Sequence, residues 1–147
     1  MRSYLYFCIL FLGMGVFSGC KTTEKLTATF ADLSGEWNIV ELNGKHLDPK
    51  ETNQLLGIEQ TTRRLFGSAG CNRMMGKVEY TPGDKNVIRF LDVATTRMAC
   101  PDMEGETELL NALSQVGRFE VEGTSRPLNK IVLYGLNNRK LMVLERK

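Results

Sequence analysis

Short runs of apolar residues, alternating with polar ones or rich in β-branched types, fill most of the chain beyond residue 34. Trp37 to Leu42 predicts a strand that stops at the turn dipeptide Asn43-Gly44. Leu55 to Glu59 predicts a second strand, and Arg63 to Ala69 a third with Leu65 and Phe66 as its apolar part. Lys77 to Thr81 alternates, with Val78 and Tyr80 on one face, and Val87 to Val93 returns as its hairpin partner after the turn Pro82-Gly83-Asp84-Lys85-Asn86. Phe119 and Val121 alternate with Arg118, Glu120 and Glu122, a pattern for a strand with one wet face. Ile131 to Leu136 and Leu141 to Leu144 flank Asn137-Asn138 and predict a closing hairpin. His46 to Asn53 is polar and contains Pro49, so a loop is expected there.

Only residues 101–117 carry a helical period. Leu109, Leu110, Leu113 and Val116 recur at three- and four-residue spacing and form one stripe. Pro101 suits a first helical position and Gly117 a C-terminal cap. Asp102, Glu104, Glu106 and Glu108 crowd the start, where the helix dipole favours anions, and read as solvated charge. Short connections between strands imply antiparallel pairing. The expected class is α+β: a strongly twisted, barrel-like antiparallel sheet of about eight short strands with one main helix packed on it.

The first twenty residues differ from all of this. Arg2 provides a positive start, Tyr4 to Phe17 is uncharged and apolar, and Ser18-Gly19-Cys20 closes the stretch with small residues. About 14 apolar residues are too few for a spanning helix, which needs roughly 20. Phe17-Ser18-Gly19-Cys20 resembles the bacterial lipobox, in which the cysteine is acylated and becomes the new N-terminus. A signal peptide over 1–19, lipidation at Cys20, a polar tether over 20–33 and one domain over 34–147 are therefore expected. Acyl chains on Cys20 would make the membrane a partner. Lys21 stands where an Asp resembles an inner-membrane retention signal, so the outer membrane is the expected site in the cell envelope.

Charge narrows the classes further. Loss of the leader removes Arg2 and leaves 18 basic residues of the original 19 against 17 acidic ones. So even a balance provides no basic face for nucleic acid. Of four cysteines, Cys8 leaves with the leader and Cys20 takes lipid. Cys71 and Cys100 are an even pair in an exported chain, which favours one disulfide worth about 3.5 kcal/mol on the chain-entropy model. Two buried thiols are the alternative. His46 is the single histidine and no Cys-x-x-Cys occurs, so neither a metal site, a cofactor nor a cysteine nucleophile with its base is expected. Gly67 to Asn72 is glycine-rich but lacks the Lys-Ser/Thr of a phosphate loop. It reads as a tight turn with Gly70 at positive φ and Asn72 bonding nearby backbone. Met74, Met75, Met98 and Met103 read as core filling. Arg63, Arg64 and Arg73 read as solvated surface rather than an anionic-lipid site.

Two segments taken together carry a family resemblance. Gly70-Cys71-Asn72 with the following Gly76, then Thr95-Thr96-Arg97-Met98-Ala99-Cys100, follow Gly35-Glu36-Trp37 and precede the acidic helix and closing hairpin. This ordered set resembles the META domain, the family of the heat-shock protein HslJ, over about Leu33 to Arg146. The resemblance implies an exported, often lipid-anchored protein linked with stress tolerance and novobiocin resistance, and with virulence in parasite members. It brings no established catalytic activity. The expected function is a non-catalytic, lipid-anchored envelope protein that supports stress tolerance or binds a protein partner of unknown identity. Alternatives are a binder of a small apolar ligand inside the sheet, and an inhibitor of an envelope-attacking enzyme such as lysozyme. An interior filled by Trp37, Phe66, Phe90 and the helix leucines would leave no room for such a ligand.

Overall fold

The computed structural model describes residues 28–82, 86–101, 103–124 and 126–147. The expected leader, the lipidation site Cys20, Asp102 at the helix start and the centre of the 82–86 turn lie outside the described residues. Nine strands run in chain order: β1 (Gly35–Leu42), β2 (Lys45–His46), β3 (Gln54–Glu59), β4 (Arg64–Ala69), β5 (Arg73–Thr81), β6 (Val87–Thr95), β7 (Val116–Glu122), β8 (Lys130–Gly135) and β9 (Lys140–Arg146). All pairings are antiparallel, in the spatial order β2-β1-β3-β4-β5-β6-β7-β8-β9. β1 also pairs with β9, from Trp37 opposite Arg146 to Leu42 opposite Met142. That last pairing closes eight strands into a barrel, with β2 as the extra strand. The α+β barrel expected from the alternation is therefore the fold.

Turn chemistry sets the hairpins. Asn43 and Gly44 both take positive φ (49° and 84°), and β1 folds straight back onto β2. The segment expected as a loop over 46–53 holds more structure than its polarity suggests. His46 ends β2, and Pro49–Thr52 forms a single helical turn, α1, capped by the Asp48 carboxylate on the Lys50 N–H.

The interior is packed with side chains. Trp37, Ile39, Leu56, Leu65, Ile88 and Phe119 are fully buried and meet the stripe of the main helix, α2 (Glu104–Gln115), through Leu109 and Leu113. α2 packs against β4 and β6. Between β6 and β7 the ladder is reduced to Val87 opposite Arg118, with Phe119 N–H donating to the Asn86 carbonyl (3.0 Å). α2 joins these two strands at that seam.

Four expectations need correction. First, the domain begins earlier than residue 34. Ala28, Phe30 and Leu33 are buried, and Phe30–Leu33 forms a 3-10 turn whose Phe30 ring stacks on Tyr80 at 4.9 Å. The segment 28–33 is core rather than tether. Second, the helix is shorter than 101–117. Met103 occupies its N-cap, ahead of which Pro101 lies outside, and Val116 is already extended. Gly117 belongs to β7 rather than to a helix cap, and a Cβ there would come 2.5 Å from the end of the exposed Leu136 side chain. Third, Phe66 points outward. Leu65 and Ala69 are buried on the inner face of β4, so strand alternation places Phe66 on the other. Its ring covers Gly57, where a Cβ would meet it at 2.4 Å. Fourth, of the four methionines only Met74 is core; Met75, Met98 and Met103 are 52%, 58% and 41% exposed.

Candidate functional site

The glycine-rich turn between β4 and β5 organises one end of the barrel. Gly70 has φ +121°, as the turn requires. Ala69 N–H closes the turn on the Asn72 carbonyl at 2.8 Å, and the Ser68 hydroxyl donates to the Gly70 carbonyl at 3.0 Å. Asn72 is thereby turned fully inward.

Asn72 does more than bond nearby backbone. Its Oδ1 accepts from Thr96 Oγ1 and from Met98 N–H, both at 2.8 Å. Its Nδ2 donates to Glu106 Oε2 at 2.9 Å. One side chain so ties the β4–β5 turn, the segment after β6 and the first turn of α2. The Cys71–Cys100 disulfide, with Cα atoms 6.3 Å apart, ties two of these pieces, the β4–β5 turn and the segment after β6. Gln54 completes the cluster: its Nε2 donates to the carbonyls of Ala69 (3.3 Å) and Gly105 (3.1 Å).

The acidic helix start is thus not uniformly solvated. Glu106 is only 5% exposed. A signal for this was present, since Glu106 precedes Leu109 by three residues and Leu113 by seven and lies on the apolar stripe. Glu108 bonds Asn43 Nδ2 at 3.0 Å and Lys45 Nζ at 3.4 Å. The Asn43 bond, with help from Lys45, holds its carboxyl below the usual carboxylate range against some desolvation.

The motif residues fall into two groups. Gly70, Cys71, Asn72 and Cys100 converge at the helix end, with Met98 contributing its backbone N–H while its side chain and Ala99 are exposed. The threonine that touches Asn72 is Thr96; Thr95 sits in β6 opposite Met74. Gly76 lies at the irregular β5–β6 pairing, where a Cβ would meet the Leu91 carbonyl at 3.0 Å. Gly35 and Trp37 lie at the other end. Gly35 has φ +117°, and Trp37 Nε1 donates to the Leu33 carbonyl at 2.9 Å. His46, on β2, is exposed and belongs to neither group. Among the described residues no group of three or more His, Cys, Asp or Glu side chains is placed to hold a metal ion.

Fold and cluster together define a small closed antiparallel barrel, filled inside, with one disulfide holding the segment that leads into its helix and one buried asparagine bonded to the helix itself. The chain belongs to the META domain family: the family model matches residues 28–147. No curated protein sequence matches it. A Burkholderia xenovorans protein solved by NMR superimposes with a TM-score of 0.60 at 22% identity, over 86% of this chain and 96% of that one. A second NMR structure gives 0.59 at 21% identity, over 81% and 95%. The crystal structure of a DUF4847 family protein from Bacteroides vulgatus gives 0.54 at 14% identity, over 78% and 94%. At these identities the likeness is one of fold.

Proposed function

We propose that this protein is a non-catalytic, lipid-anchored module of the bacterial cell envelope that works by binding and supports stress tolerance. The observation that carries the non-catalytic reading is the fate of the reactive groups. Both mature-domain cysteines of the motif are bonded to each other, the only histidine is exposed on β2, and the buried Glu106 is held by Asn72. A nucleophile needs a base within hydrogen-bond reach, and this cluster joins its polar groups to one another instead. The filled interior argues equally against an apolar ligand inside the barrel. The lipobox-like Phe17-Ser18-Gly19-Cys20 supports the anchor, with the outer membrane as its site.

Intact mass of the membrane-extracted protein tests the anchor. A mass equal to residues 20–147 plus acyl chains is expected. A soluble chain without lipid would refute it. Deletion of the gene is expected to sensitise cells to heat or novobiocin, and a deletion strain that matches its parent under envelope stress would remove the stress role.

A further inference from the structure

The outer face of β3 to β6 is built unlike a solvated barrel wall. Register aligns Gly57, Phe66, Met75 and Ala94 in one row across four strands. Met75 is 52% exposed and Leu91, one strand over, 42%. Open clefts lie on both sides of Met75, one floored by Phe66 and Leu55, the other by Val78 and Leu91. A contiguous apolar strip rimmed by charge marks an interaction surface.

The rim is cationic. Lys77 is already paired with Asp92 (2.8 Å), and Lys147 with Glu36 (2.7 Å). Glu79 stands opposite Arg89 in the β5–β6 register. Among the described residues of this face, the guanidinium groups of Arg63, Arg64 and Arg73 enter no ion pair, while of the remaining carboxylates Glu59 accepts from Thr62 and Glu79 faces Arg89. Three arginines around an apolar strip complement a surface of anionic headgroups over acyl chains.

The anchor supplies the second argument, and here the inference rests on the proposed lipidation. Eight peptide steps separate Cys20 from the buried Ala28, a reach of at most about 29 Å. A domain of this size has a radius of gyration of about 14 Å, which for a uniform sphere is a diameter of about 36 Å. The tether therefore holds Ala28 closer to the bilayer than the domain is wide. The anchoring segment enters the core beside Phe30, which stacks on Tyr80 of β5, the strand that also carries Met75. Val78, between them on that strand, donates its N–H to the Arg63 carbonyl at 2.8 Å.

We infer that this face docks onto the anionic bilayer that holds the anchor. Met75 and Leu91 enter the headgroup boundary, and Arg63, Arg64 and Arg73 meet lipid phosphates. The lipid on Cys20 and the sheet face then act as two linked contacts.

The test uses the mature chain, residues 20–147, with Cys20→Ser so that no acyl chain contributes. It is mixed with vesicles of phosphatidylethanolamine with phosphatidylglycerol, or of phosphatidylcholine alone, and sedimented. Binding to the anionic vesicles only, weakened by salt, is expected. Met75→Glu and the pair Arg64→Glu/Arg73→Glu should each lower it about tenfold or more with unchanged melting temperature, since all three side chains are exposed. Absence of vesicle binding, equal binding to both vesicle types, or variants that bind like the parent would overturn the inference. A dimer that Met75→Glu dissociates would also overturn it, by showing a second copy on this face. Failure of the anchor itself would appear separately, in the intact mass.

Discussion

The guanidinium of Arg146 lies 4.1 Å from the centroid of the Trp37 ring, over its face. It also donates to the carbonyls of Asp32 (2.8 Å), Ser34 (3.0 Å) and Leu128 (2.8 Å). A residue of the last strand thus holds the start of the first against the loop before β8. Lysine cannot reproduce this planar fork. Arg146→Lys is expected to cost about 2 kcal/mol, read from chemical denaturation. A loss of less than about 0.5 kcal/mol would mean the contact is geometric coincidence.

Asn72 supports a sharper expectation. Asn72→Ala removes the hydrogen bonds to Thr96, Met98 and Glu106 and leaves the Glu106 side chain buried without that donor. A loss of about 3 kcal/mol is expected in urea unfolding. Thr96→Val should cost about 1 kcal/mol, and Thr95→Val less, because only Thr96 reaches Asn72.

The disulfide closes a separation of 29 residues. Reduction, or the Cys71→Ser/Cys100→Ser pair, should destabilise by about 3.5 kcal/mol. Thiol labelling without prior reduction would contradict the bond itself.

Gly57 and Phe66 should behave as one unit. Gly57→Ala places a methyl group into the Phe66 ring, and Phe66→Ala uncovers Gly57. The double variant should be more stable than the sum of the two losses predicts, by about 1 kcal/mol. Simple additivity would show that the ring swings away freely.

Acid should weaken one end of the domain. The Arg126 side chain, with the Thr29 N–H and hydroxyl, lowers the Asp32 carboxyl from 3.8 to about 2 against some desolvation. A lowered folded-state value adds stability above the unfolded value. That stability is lost as pH falls from about 4 toward about 2. The loss should be smaller in Asp32→Asn, followed by melting temperature across this range. An equal slope in both proteins would assign the effect to other carboxylates.

Much of the barrel was legible because strands with one buried face alternate. Val78 and Tyr80 share a face as expected, and Asn43-Gly44 and Asn137-Asn138 mark real hairpins. Alternation alone does not say which of two adjacent apolar residues points inward, and Leu65-Phe66 and Met74-Met75 were ambiguous for that reason. In both pairs the first residue is buried and the second faces out. The helix end was misplaced because Val116 continues a three-residue spacing while its backbone already pairs with Gly135. Glu106 was hidden by its company: among neighbouring acids it reads as surface charge, and its partner Asn72 lies 34 residues away.

The pairing of β1 with β9 has a consequence for biogenesis. No N-terminal portion can complete the sheet, because the edge left by Trp37 to Leu42 waits for residues 142–146. Contacts of such sequence separation form late and slowly. Closure of the barrel therefore waits until nearly all of the chain has been made. If the chain is exported as proposed, a sheet that cannot close before its last strand arrives is one that locks only after the tail has followed the head across.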